Sequence, residues 1–283
     1  MSEKTFESGG AQIAAEAFGD PADPALLLIM GQMASMLWWP EELCERLADG
    51  GRFVIRYDNR DTGHSTSYEP GEPPYGLDEM AADAIAVLDG YGVDRADLVG
   101  MSMGGVIAQL IAVAYPARVA SVTAISTTSI DGPDPDLPGP SAEYMEHAAA
   151  AEGLDWSDTE ALGEFLVADS RQIASSRHPF DEAAAREHVA RDLERTVNPA
   201  SLSNHATLSG GEAHVGKLGQ IEVPFLVVHG SADPLFPPEH GAALAEQVPG
   251  ATMVTIEGGG HELHRDDWDR YVEAIIGVTE PAA

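Results

Sequence analysis

Gly100-Met101-Ser102-Met103-Gly104-Gly105 is the stretch that decides how this chain reads. The short apolar run Ala96 to Val99 before it reads as a buried strand. Val106 to Tyr115 (VIAQLIAVAY) after it reads as a helix. A Gly-x-Ser-x-Gly between a strand and a helix is the pattern of a nucleophile elbow. The turn it requires is so tight that side chains two residues either side of the serine would collide, and Gly100 and Gly104 remove them. Ser102 is then pushed out at the end of the sheet. The start of the helix offers partial positive charge to any oxyanion formed there. With 29 glycines in the chain the bare pattern carries little weight; the strand before it and the helix after it supply the rest.

Outward from this turn the chain alternates. Lys4–Ser8 and Gln12–Phe18 flank Gly9-Gly10, a hairpin signal. Ala25–Met30 is a continuous apolar run, as in a strand covered on both faces. Glu41–Ala48 reads as helix, Phe53–Asp58 as strand, Leu77–Tyr91 as an amphipathic helix and Ser121–Ser126 as strand. This rhythm implies an α/β fold, a mostly parallel sheet with helices on both faces. It breaks at Asp131–Pro140, whose four prolines exclude a regular helix or central strand. Helical stretches at 141–152, 158–175 and 181–197 follow, and strands are absent until Val223. The expected organisation is a core in two parts, 1–130 and 217–283, with a helical cap at 131–216. The resumed core has strands at Pro224–Gly230 and Thr252–Glu257, and helices near 239–247 and 268–276.

A serine hydroxyl is a poor nucleophile at neutral pH; it needs a base, and the base needs an orienting acid. The chain order Ser, Asp, His is met downstream of Ser102. His229-Gly230-Ser231-Ala232-Asp233-Pro234 follows an apolar strand and presents Asp233 as the acid, with Asp131 as the alternative. Gly258-Gly259-Gly260-His261 presents His261 as the general base, with His264 nearby as the alternative. The oxyanion hole needs two backbone N–H groups. Met103 supplies one. Gln32 supplies the other from the Met30-Gly31-Gln32-Met33 loop, where Gly31 permits close approach. Gly31, Met33, Met36, Trp38, Trp39 and Met103 are candidates to line an apolar substrate pocket. Most of the remaining histidines read as structural or solvated, with a pocket lining as the alternative for His205 in the cap. None has the spacing of a zinc site, and no metal or organic cofactor is expected.

Charge narrows the partners. Net charge is −32, from 47 acidic against 15 basic residues, which repels nucleic acid and anionic membranes. No apolar run approaches the ~20 residues a membrane span needs. Cys44 is the single cysteine, which excludes an intramolecular disulfide and fits a reducing compartment. The expectation is a soluble cytoplasmic protein, monomer or homodimer, that acts on a small molecule.

The chain resembles the α/β-hydrolase superfamily through GMSMGG, RYDNRDTGHST at Arg56 to Thr66, HGSADP and GGGH. The DNRDTGHST run, FGDPADPALLLIMG and LADGGRFVIRYD are similar to the aclacinomycin methylesterase branch. The resemblance implies an eight-stranded α/β-hydrolase fold, a Ser102–Asp233–His261 triad, Gln32 and Met103 as oxyanion donors, and hydrolysis of a methyl or other small ester of an apolar acid. Two positions depart from the superfamily: Met30-Gly31 stands where many members carry His-Gly, and Arg60-Asp61 where Arg-Gly is common. The same triad serves lactonases, thioesterases, C–C hydrolases and cofactor-free haloperoxidases. A non-catalytic ligand sensor is the reading from a different class.

Overall fold

The apolar run at Ala25 forms a strand whose successive side chains feed two different cores. Leu27 and Ile29 enter one cluster, and Leu26, Leu28 and Met30 the other. This is the two-sided burial of a central parallel strand. The computed structural model describes residues 2–71, 73–132 and 135–278. Pro133 and Asp134 of the proline-rich stretch, and the last five residues of the second core part, lie outside them.

Eight strands form one sheet: β1 (Lys4–Ser8), β2 (Ala11–Phe18), β3 (Ala25–Ile29), β4 (Phe53–Tyr57), β5 (Ala96–Met101), β6 (Val119–Ile125), β7 (Phe225–Gly230) and β8 (Thr252–Ile256). Their order is β1-β2-β4-β3-β5-β6-β7-β8. β2 runs antiparallel to β1 and β4, and from β4 to β8 every pair is parallel. The helices are α1 (Glu41–Asp49), α2 (Leu77–Tyr91), α3 (Met103–Ala114), α4 (Ala142–Ala149), α5 (Thr159–Gln172), α6 (Glu182–Arg195), α7 (Pro238–Gln247) and α8 (Trp268–Val278). α2, α3 and α7 pack their apolar stripes on one face of the sheet, and α1 and α8 on the other. Cys44 lies fully buried in the second layer, and burial pushes its thiol up to about 12, so it behaves as a small hydrophobe.

α3 begins at Met103, three residues before the helix expected from Val106. Gly104 and Gly105 are poor helix formers and hide that first turn in the sequence. The elbow forces them into it.

Between β6 and β7 the chain builds α4, α5 and α6, capped as their sequences direct. The Asp158 carboxylate accepts from Glu160 and Ala161 N–H at the start of α5, and Asp181 accepts from Ala184 N–H at the start of α6. α5 and α6 share a small apolar core of Leu162, Leu166, Val167, Val189 and Leu193, which Leu202 joins from the helical turns at Pro199–Thr207. Met33 and Trp38, from the loop after β3, pack against this core.

Candidate active site

Ser102 stands at the carboxyl end of β5 with φ 54° and ψ −122°, backbone torsions a serine adopts only when its surroundings hold it there. Sterics enforce them. A Cβ on Gly100 would sit 2.1 Å from the Gly104 carbonyl oxygen, and one on Gly104 would sit 2.1 Å from that of Ile29. Ser102 N–H donates to the Ile125 carbonyl at 2.9 Å, and its own carbonyl accepts from the Thr127 hydroxyl at 2.7 Å. The residue is thereby pinned to β6 and its following loop.

Two strands away, β7 ends in a turn that presents Asp233. Gly230 has no room for a side chain, because the Gly259 and Gly260 carbonyls approach its backbone. Ser231 N–H donates to Ile256 O at 3.0 Å and Ala232 N–H to Gly259 O at 2.9 Å, lacing this turn to the loop after β8. Asp233 Oδ1 accepts from the Leu235 and Phe236 N–H groups, both at 2.9 Å. Its Oδ2 lies 2.7 Å from His261 Nδ1. Burial alone would raise this carboxyl. The facing His261, together with the hydrogen bonds from His261 and Phe236, outweighs burial and holds it below the usual carboxylate range. His229 donates Nε2–H to Phe236 O at 2.8 Å and sits 3.6 Å from Asp233, steadying the same turn. Asp131 is not part of this cluster; its Oδ1 accepts from Gly216 N–H. His264 instead caps the turn before α8, accepting from Asp266 N–H.

The loop after β3 brings Gly31 against Ser102: a Cβ there would lie 3.1 Å from Ser102 Cβ. Gln32 turns its side chain away, Nε2 donating to His205 O at 3.1 Å. Met33, at φ 56°, donates its N–H to His205 Nδ1 at 3.0 Å. Further along, Trp38 Nε1 donates to Asp192 Oδ2 at 2.8 Å, the Ser35 hydroxyl donates to Asp192 Oδ1, and Met36 N–H donates to Asp58 Oδ1 at 2.8 Å. Trp38 is therefore tied to α6 through its indole N–H. Met36 and Trp39 are fully buried, Met36 opening the helical turn Met36–Trp38 and Trp39 closing it.

Sequence reasoning did not find His205, Asp192 or Asp169 as parts of this arrangement. Asp169 on α5 lies 3.2 Å from His147 Nε2 on α4 and within electrostatic reach of His261; burial raises its carboxyl against the pull of both histidines. Among the described residues, His178, His264 and Asp266 bring ligand atoms within 4.8 Å of one another. The two imidazoles stack face to face at 4.0 Å and 6°, so their in-plane lone pairs run alongside each other and do not converge. The Arg177 guanidinium also lies 3.2 Å from His178 Nε2. This cluster is a poor cation site.

A serine on a forced turn, followed in chain order by a carboxylate already bonded to a histidine on the same sheet edge, defines an α/β hydrolase. A family model described as alpha/beta hydrolase fold matches residues 24–267, and the chain belongs to that family. It is 38% identical over 283 aligned residues to rhodomycin D methylesterase DauP of Streptomyces sp. (strain C5), covering 94% of each chain. It is 37% identical to rhodomycin D methylesterase DnrP of Streptomyces peucetius over the same share of each. The resemblance to a methylesterase branch thus holds along nearly the whole chain. The solved esterase RhEst1 from Rhodococcus sp. ECU1013 shares the fold with a TM-score of 0.80 at 22% identity, covering 99% of this chain and 100% of that one.

Proposed function

We propose that this protein is a serine esterase that hydrolyses methyl or other small esters of apolar acids through an acyl-enzyme on Ser102. The observation that carries this is the 2.7 Å contact between Asp233 Oδ2 and His261 Nδ1. An ionised carboxylate there accepts the Nδ1 proton, so His261 keeps its Nε2 lone pair for the Ser102 proton. Ser102 Oγ then attacks the ester carbonyl. The oxyanion is held by Met103 N–H, at the first position of α3 where no intrahelical carbonyl competes, and by Gln32 N–H. Collapse expels the alcohol with a proton from His261. Water, deprotonated by His261, releases the acid.

The small-molecule substrate is assigned to the space under the cap at 131–216. Gly31 and Met33 form its wall nearest the serine, and Trp38 ties that wall to the cap. The methyl ester preference rests on the identity to the two rhodomycin D methylesterases. Partitioning tests the intermediate: methyl and nitrophenyl esters of one acid are hydrolysed with ethanol added as a competing nucleophile. An acyl-enzyme gives one ratio of acid to new ester whatever the leaving group. A ratio that changes with the leaving group means direct attack by water and overturns the proposal.

A further inference from the structure

We infer that His205, contributed by the cap segment, is the positioning residue of the oxyanion loop. The inference rests on the serine-esterase reading above. His205 is 1% exposed and reaches this loop from 172 residues further along the chain. Its ring is used at both ends. Nε2 lies 2.7 Å from the Arg60 carbonyl, which accepts a proton and cannot supply one. The imidazole is therefore the Nε2–H tautomer, and Nδ1 is a lone-pair acceptor. That acceptor takes the Met33 N–H at 3.0 Å, and the same residue's backbone carbonyl takes the Gln32 side chain at 3.1 Å.

The grip matters because of where it acts. Met33 holds a left-handed φ of 56°, which a methionine keeps only under restraint. Met33 N–H shares a peptide plane with the Gln32 carbonyl, so fixing it fixes one flank of Gln32. Gly31, packed on Ser102, fixes the other. The Gln32 N–H that the oxyanion needs is aimed by the two together. A sub-ångström drift in that donor weakens a bond made only in the transition state.

Charge around the ring supports one protonation state. The oxyanion loop, residues 31–39, and the His205 segment at 199–207 carry no other ionisable side chain. The loop after β4 supplies Arg60, paired with Asp83 at 2.7 Å, and Asp61. Asp61 is bound by Tyr75 Oη, Tyr68 N–H and Asn204 Nδ2. Burial lowers the His205 pKa, with the Arg60 carbonyl and Asp61 opposing it. A proton on Nδ1 would set two donors against each other and free Met33.

His205→Asn and His205→Gln separate the two ends of the ring. Asn places an acceptor where Nδ1 was and loses the bond to Arg60 O; Gln keeps a donor for Arg60 O and loses the acceptor for Met33. Both variants and wild type are compared in kcat and KM on p-nitrophenyl butyrate, in the rate at which a fluorophosphonate labels Ser102, and in amide exchange at Met33. The expected result is a kcat and labelling rate about 100-fold lower for Gln with KM little changed, as for loss of an oxyanion donor, and substantial rescue by Asn. Met33 exchange is faster in Gln and near wild type in Asn. Equal losses in both variants, a loss carried by KM, or unchanged Met33 exchange would overturn the inference. If wild type neither turns over esters nor is labelled, the esterase reading fails, and Met33 exchange alone still decides what His205 holds.

Discussion

At Ser102 the backbone torsions and the proposed chemistry have one cause. The elbow works because no atom beyond hydrogen fits on Gly100 or Gly104, which is why it was legible: a steric necessity leaves a fixed pattern in the sequence. Gly104→Ala drives a methyl against the Ile29 carbonyl, so we expect a loss well above the ~1 kcal/mol of a typical substitution, read from the urea midpoint. Asp233→Asn keeps the shape but loses the acceptor charge that fixes the His261 tautomer. The expected outcome is a kcat lower by about 10⁴ with the melting temperature little changed. Asp233 and His261 were legible for a related reason, since each follows an apolar strand on a glycine-bearing turn. His205 and Asp192 were not, because their partners lie 172 and 157 residues away and no local pattern encodes such contacts. His188 shows what burial does to a lone imidazole. It stands edge-on to Trp38 with ring centroids 4.5 Å apart, and burial, helped by Arg191 and Arg56, lowers its pKa to about 4. The unfolded chain takes that proton near pH 6.5 and the folded one only near 4, so His188 costs stability as pH falls through that window, at up to about 1.4 kcal/mol per unit. The melting difference between wild type and His188→Gln should shift in favour of the variant from pH 7 to pH 5. A constant difference would contradict the assignment.

Among the elements, the helices between β6 and β7 hold the candidate active site from two sides. The end of α5 meets the histidine loop: His261 N–H donates to Ile173 O at 2.8 Å, and Ser176 N–H donates to Gly258 O at 2.9 Å. α6 holds the other side through Asp192, which accepts from Ser35 and Trp38, and through Arg195, whose guanidinium lies 2.7 Å from Asp58, itself the acceptor for Met36 N–H. The helices themselves were legible as alanine-rich, acidic stretches at 141–152, 158–175 and 181–197. Their docking was not, because it depends on single polar contacts and not on periodicity. Asp192 is buried and its carboxyl is raised, chiefly by that burial. Asp192→Leu should therefore cost about 1–3 kcal/mol by leaving the Ser35 and Trp38 donors unpaired, whereas Asp192→Asn, which keeps one acceptor, should cost less. Equal urea midpoints for the two variants would show that the carboxylate does not tie this helix to the loop.

On the scale of the whole molecule, alternation decided the architecture. Runs such as Ala25–Ile29 and Phe225–Gly230 are buried throughout and can only be central strands, and the sheet they build sets Ser102, Asp233 and His261 along one edge. The packing of the three helices between β6 and β7 was less legible, since each carries little individual pattern of its own. The chain carries a net charge of −32, and its self-repulsion is screened by salt. The melting temperature should rise between low and moderate sodium chloride; a flat or falling response would mean that paired charges dominate the surface. The central claim is that Ser102 is the nucleophile of an ester hydrolysis. It is met most directly by the turnover of an ester series, nitrophenyl acetate to decanoate with methyl esters of apolar acids, by wild type and Ser102→Ala prepared side by side. The account predicts turnover by wild type and a loss of about 10⁶-fold in a variant that stays folded. Ester hydrolysis retained by folded Ser102→Ala would contradict it.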